Sequence, residues 1–432
     1  MSSSDTRQMP AYTRSFIERR RLNWFPLGLM YASYYICRYN LSYANASIRA
    51  EYGWSKEEIG YVITSFFWIY AIGQFINGQI IDRFGGRRMI LFGAVFIIAL
   101  NALFGFGESI GALSYFIMIW SLNGYFQAFG APAIVKVNAN WFALRERGTF
   151  TGIFGMMIQA GRWAVIPIAT YVLTNSRWPW LFYLPAIITG AAAIYAWLHV
   201  EDHPEDLGFP SVVPLSKEEG SDLKPASFRY TMKKVLTSKT LWLISGAYFC
   251  TGVVRSGLEQ WFPSYLTEVH KLPQDSFAFQ VTAYGMPLGA VLGAVAAGWT
   301  SDKIFQGRRG PSAAILYFGQ LVLLILFNIY TGPVISGIFL ILLSFFVNGP
   351  HSLLGGAAAI DFGGRKAAAS AAGLIDAFQY VGAGLTGFLI GGILDKFGWG
   401  GWATSLSGFA LLGGILMVII WNAKPEEATS PS

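Results

Sequence analysis

Long apolar runs separated by short polar breaks dominate this chain from residue 22 to residue 421. Runs of spanning length fall at 22–43, 58–81, 88–107, 110–140, 149–173 and 178–199. A polar stretch follows at 200–239, opening with Glu201-Asp202-His203-Pro204 and ending in Lys233, Lys234 and Lys239. Six more runs come after it, at 240–268, 277–300, 311–331, 333–360, 368–394 and 400–421. About 20 apolar residues in a helix cross a bilayer, so the pattern predicts an all-α membrane protein of twelve transmembrane helices in two six-helix bundles. The expected divisions are a tail at 1–21, a bundle at 22–199, a linker at 200–239, a second bundle at 240–421 and a tail at 422–432.

Composition agrees: 54% of the 432 residues are hydrophobic and 13% charged, against roughly 25% charged in soluble domains. The net charge of +7 bears on topology rather than on nucleic acid, because loops rich in Lys and Arg stay in the cytoplasm. Tails, linker and even-numbered loops hold 22 basic residues, whereas the opposite loops hold 5: Arg49, Lys56, Arg177, Lys271 and Lys396. Both termini and the linker are therefore expected in the cytoplasm, with the chain in a cytoplasmic (inner) membrane. The tail carries Arg7, Arg14, Arg19, Arg20 and Arg21 but no apolar core of its own, unlike a cleaved signal peptide. Cys37 and Cys250 alone make neither a disulfide framework nor a four-ligand zinc site, and the four histidines have no metal spacing.

A repeat supports the two-bundle reading. Gly78-Gln79-Ile80-Ile81-Asp82-Arg83-Phe84-Gly85-Gly86-Arg87-Arg88 follows the second run, and Gly298-Trp299-Thr300-Ser301-Asp302-Lys303 with Gly307-Arg308-Arg309 follows the eighth. Asp82 and Asp302 are 220 residues apart, about half the chain. The aspartate of such a loop can pair with arginines or cap a helix start, which suits a gating or coupling role. The pattern resembles the loop motif of the major facilitator superfamily.

Charges inside apolar runs are costly and mark substrate paths or buried partners. They are Arg38, Lys136, Arg162, Arg255, Glu259 and Asp376. Arg38 and Arg255 occupy equivalent places in the repeat and are expected to face each other across a central cavity. A guanidinium holds two phosphate oxygens at once and stays charged at physiological pH, so such a pair suits a divalent oxyanion. Glu259, four residues after Arg255, shares its helix face, and Glu259 and Asp376 are the candidates for coupling. Tyr31, Tyr35, Arg38 and Ser42 form one helical stripe, and Tyr70 with Gln74 and Asp376 with Tyr380 repeat the four-residue spacing. The glycines from Gly382 to Gly392 read as close helix packing. The sequence has no Walker-type phosphate loop for ATP-driven pumping and no nucleophile–base pair for hydrolysis, so neither an enzyme nor a bound cofactor is expected.

Three segments carry a more specific resemblance: Tyr34-Tyr35-Ile36-Cys37-Arg38-Tyr39-Asn40; Arg255-Ser256-Gly257 with Trp261-Phe262-Pro263-Ser264-Tyr265-Leu266; and Gly349-Pro350 through Ala371-Ala372-Gly373 and Tyr380. They resemble the organophosphate:phosphate antiporters, the glycerol-3-phosphate and hexose-6-phosphate carriers of the major facilitator superfamily. The resemblance implies that fold, Arg38 and Arg255 as a phosphate clamp, and Tyr31, Tyr35, Tyr70 and Tyr380 lining the site. The sequence departs from glycerol-3-phosphate carriers at Gln74, where they have lysine, and in Gln159-Ala160-Gly161-Arg162, where they have a histidine. Arg162 and Lys136, the latter resembling a lysine of some sugar-phosphate members, complete the candidate substrate site with Gln74 and Gln159. The expected partners are an organic phosphate, inorganic phosphate and the lipid bilayer, with the chain acting as a monomer. Two alternatives stay open: a membrane sensor of a phosphorylated metabolite, and a proton-coupled carrier of another organic anion.

Overall fold

The computed structural model describes residues 12–143, 146–212 and 237–423, with side chains described except at residues 75, 147–154 and 356–371. Arg7 of the N-terminal tail, Lys217, Lys224, Arg229, Lys233 and Lys234 of the linker, Lys424 of the C-terminal tail, and the side chains of Arg365 and Lys366 therefore lie outside the described residues.

The architecture among the described residues is helical. In chain order the helices are α1 (Arg14–Tyr52), α2 (Lys56–Phe84), α3 (Gly86–Phe106), α4 (Leu113–Gln127), α5 (Gly130–Trp141), α6 (Arg147–Asn175), α7 (Trp180–His199), α8 (Lys239–Glu268), α9 (Phe277–Trp299), α10 (Arg309–Ile329), α11 (Pro333–Ser352) and α12 (Ala358–Ile419). Among the described residues, seven segments are long and apolar enough to cross a membrane, or eight if the bent α2 counts as one span. The chain is a multi-pass membrane protein. Helices α1 and α8 are not among those segments, because tyrosines, hydroxyls and charges take the place of aliphatic residues along them.

Element boundaries differ from the apolar runs in three places. α1 starts at Arg14, capped by the Thr13 hydroxyl on the Phe16 amide, so residues 14–21 of the expected tail are helical. The run 110–140 is divided into α4 and α5. The start of α5 lies tight against α1, where a Cβ on Gly130 would come within 2.6 Å of the Tyr31 ring. The runs 368–394 and 400–421 join in one helical trace, α12, in which Gly398 takes φ +64°, a conformation open to glycine and costly for other residues.

Before the linker, α1 packs on α6 and α7, α2 on α4, and α3 on α7. After it, α8 packs on α12, α9 on α11, and α10 on α11 and α12. The two parts of the chain meet through α1 with α8, α2 with α12, and α6 with α9. The α2–α12 contact uses the expected glycine stripe: a Cβ on Gly387 would strike the backbone at Gly60, so small residues let the two backbones touch. Thr64 Oγ1 donates to the Gly384 carbonyl at 2.7 Å and accepts from the Phe388 amide at 3.0 Å.

Charged links between the two parts cluster where α1 ends and α2 begins. Glu268, at the end of α8, pairs with Arg49 and, at 3.4 Å, with Lys56. The Asp395 carboxylate of α12 accepts the backbone N–H groups of Lys56 and Glu57 at 3.1 and 2.8 Å, occupying donors that a helix start leaves unpaired. The two aspartates of the repeated loop lie elsewhere: Asp82 pairs with Lys136 at 2.9 Å and Asp302 with Arg309 at 2.6 Å. The amide of Arg87 in the first turn of α3 donates to Asp202 at 2.8 Å, so this helix start is capped by the beginning of the linker rather than by Asp82.

Candidate functional site

Three charged residues are deeply buried among those described: Arg38 at 6% exposure, Arg162 at 7% and Glu259 at 5%. Arg255, with its side chain 15% exposed, joins them. They come from α1, α6 and α8, so the group forms at the contact between the two parts of the chain.

Arg38 is held by neutral groups. Its Nε donates to Gln127 Oε1 at 2.9 Å, and the amide nitrogen of Gln127 donates to the Cys37 carbonyl at 3.2 Å. The guanidinium carbon lies 4.6 Å from the Tyr70 ring centre, 4.7 Å from that of Tyr35 and 5.6 Å from that of Phe66. Aromatic faces attract a cation without neutralising it. Its Nη2 is buried and meets no hydrogen-bond partner among the described residues. A buried donor left this way costs of the order of 1–3 kcal/mol, more when charged.

Arg255 and Arg162 share one acid. Arg162 approaches Glu259 Oε1 to 2.6 Å and Arg255 Nε approaches the same oxygen to 3.2 Å. The Arg255 contact is an ion pair without hydrogen-bond alignment, and its Nε has no hydrogen-bond acceptor among the described residues. The Tyr39 hydroxyl donates to Glu259 Oε2 at 2.7 Å, and Arg162 lies over the Tyr39 ring at 5.0 Å. A second bond between α1 and α8 runs from the Ser42 hydroxyl to Gln260 Oε1 at 2.7 Å. Three guanidinium groups and one carboxylate leave the buried set with two positive charges. A cavity of about 20 Å³ beside it, lined in part by Tyr39, Tyr43, Arg162, Glu259 and Phe262, has room for about one water.

The sequence candidates divide by position. Tyr31, Tyr35 and Tyr70 are buried around Arg38, and Tyr380 of α12 meets Tyr70 with ring centres 4.6 Å apart. Gln74 donates to the Tyr70 hydroxyl at 2.7 Å, and Gln159 accepts from Arg162 at 3.4 Å. Lys136 does not join this group: its side chain is 39% exposed, and its partner Asp82 is 72% exposed. Asp376 is also exposed. Sequence reasoning missed Tyr39 and Gln127. Tyr39 falls off the Tyr31–Tyr35–Arg38–Ser42 stripe, and the only signal at Gln127 was an amide inside an apolar run.

Comparison with known proteins identifies the fold family. A family model described as Major Facilitator Superfamily matches residues 27–387. The chain belongs to the major facilitator superfamily. Among its relatives there, it is 30% identical to the glycerol-3-phosphate transporter of Bacillus subtilis, with 94% of this chain and 93% of the relative covered. It is also 30% identical to the membrane sensor protein UhpC of Escherichia coli K12, covering 95% and 94%. A probable hexose phosphate transport protein of Chlamydia trachomatis is 28% identical over 94% and 91%. In three dimensions the fold matches a bacterial homolog of the human lysosomal transporter Spinster in an inward-facing, unoccupied conformation. The TM-score is 0.72 at 13% identity, covering 95% of this chain and 96% of that one.

Proposed function

We propose that this superfamily member is a secondary transporter that exchanges an organic phosphate for inorganic phosphate. Its bundles, 22–199 and 240–421, rock about a central site while the linker 200–239 and both termini stay in the cytoplasm. The observation that carries the reading is the unpartnered Arg38 Nη2 in a buried set of two net positive charges. Phosphate supplies the missing acceptor and cancels that charge, and the guanidinium fork matches its oxygens. Glu259 holds Arg255 and Arg162 when no anion is present and gives them up as phosphate arrives. On this orientation the Arg49–Glu268–Lys56 group closes the outer end, so the described state is closed to the outside.

Counterflow in proteoliposomes tests the proposal. Trapped phosphate should accelerate entry of labelled phosphate or of a phosphate ester, because a loaded carrier reorients more easily than one with uncompensated arginines. Equal uptake into empty and phosphate-loaded vesicles would exclude exchange. The 30% identity to a membrane sensor supports a second reading, in which the same site binds a phosphorylated metabolite and signals with little flux. Tight phosphate-ester binding without counterflow is the result that would favour it.

A further inference from the structure

Seven residues before Arg255, and therefore about 10 Å along the same face of α8, Tyr248 meets His351 from the last turn of α11. The Tyr248 hydroxyl lies 2.7 Å from His351 Nδ1, and the rings stack 5.4 Å apart with 12° between their planes. Just beyond His351 the backbone widens into a π-helical turn at Leu353–Ala357, a feature that recurs at functional sites. Gly355 inside that turn packs against the Tyr248 hydroxyl, which a Cβ there would displace. The approach of α11 to α8 is thus fitted around this pair.

Tyr248 is buried and His351 is partly exposed, within electrostatic reach of Arg255 and Arg162. With Nδ1 engaged by the hydroxyl, Nε2 meets no protein partner among the described residues. A neutral imidazole whose Nδ1 is engaged presents either a donor or an acceptor at Nε2, according to tautomer. A hydroxyl can answer both, and it carries no charge to compete with phosphate for the arginines.

We infer that Tyr248 and His351 form a second subsite that reads a hydroxyl on the organic part of the substrate while the arginines hold its phosphate. The substrate class is a hydroxylated phosphate ester, of the polyol or sugar phosphate kind, with its organic end extended along α8 away from Arg255. This rests on the phosphate reading above, but it makes a separate demand: inorganic phosphate and an ester without hydroxyls should ignore the pair.

The test compares three labelled probes entering phosphate-loaded proteoliposomes: inorganic phosphate, methyl phosphate and a hexose 6-phosphate. For His351→Leu, KM for the hexose phosphate should rise about five- to tenfold, the usual scale of one lost uncharged hydrogen bond. Inorganic phosphate and methyl phosphate should stay within about twofold of the parent protein. His351→Gln, which retains a hydrogen-bonding amide, should recover most of the loss, and Tyr248→Phe should show the same selectivity in weaker form. Should His351→Leu fail to assemble, the Tyr248→Phe variant carries the same comparison. Equal loss for all three probes would mean that the pair only joins α8 to α11, and no change for the hexose phosphate would remove it from recognition; either result overturns the inference. Absence of phosphate self-exchange in the parent protein would instead bring down the exchange reading, and the subsite with it.

Discussion

Arg162 of α6 reaches Glu259 of α8 at 2.6 Å, so a carboxylate from one side of the linker neutralises a guanidinium from the other. That carboxylate also faces Arg255, so any movement that separates α6 from α8 must redistribute one negative charge among the buried cations. An incoming anion makes that redistribution easier, which is a physical basis for coupling binding to reorientation.

Removing the shared acid should therefore separate affinity from turnover. Glu259→Gln leaves Arg162 and Arg255 without their counter-ion, and breaking a buried pair costs about 3–5 kcal/mol. The ligand-free variant should melt at a lower temperature than the parent. Phosphate should stabilise it by more than it stabilises the parent, while exchange slows because release is slower. A phosphate-induced shift no larger than the parent's would show that Glu259 does not compete with the ligand.

Arg38→Lys should lower exchange by about 100-fold, since losing a charge-assisted contact is worth about 1.5–3 kcal/mol and lysine loses the planar fork. It also loses the Nε–H that donates to Gln127, so the remaining ammonium is poorly aimed. Folding should survive, because the positive charge over Tyr35 and Tyr70 is retained. Exchange within about threefold of the parent would remove Arg38 from phosphate binding.

The links at the end of α8 and in α12 should act as a latch. Glu268→Gln weakens the pairs to Arg49 and Lys56, and Asp395→Asn weakens the cap on α2. These groups are partly exposed, so each change should shift the balance by only about 1 kcal/mol, and the double variant by more. Spin labels placed at the start of α2 and next to Asp395 in α12 would report the change: a larger population at long separation is expected. An unchanged distance distribution would show that the two groups do not hold this end closed.

Gly387→Val tests the same closure sterically. A side chain there meets the backbone of Gly60, and a helix backbone cannot yield as a flexible side chain does. The variant should assemble yet exchange poorly, with the same pair of spin labels shifted to long separation in every molecule. Normal exchange would mean that α2 and α12 need not touch at Gly60 during transport.

Hydropathy alone identified an all-α, multi-pass membrane protein, since insertion depends on about 20 consecutive apolar residues and little on what lies beside them, whereas α1 and α8 fall outside the segments apolar enough to span. Helical period also placed Glu259 on the face of Arg255, a relation internal to one helix and therefore written in four residues of sequence. Charge in an apolar run singled out Arg162 and Lys136 equally. Only packing separated them: Arg162 meets Glu259 at the contact between the two parts of the chain, whereas Lys136 pairs with exposed Asp82. Tyr39 on Glu259, Gln127 on Arg38 and Tyr248 on His351 were hidden for the same reason. Each joins residues 89 to 220 positions apart, and a helix repeat fixes which way a side chain leaves its own axis but not which helix is brought to meet it.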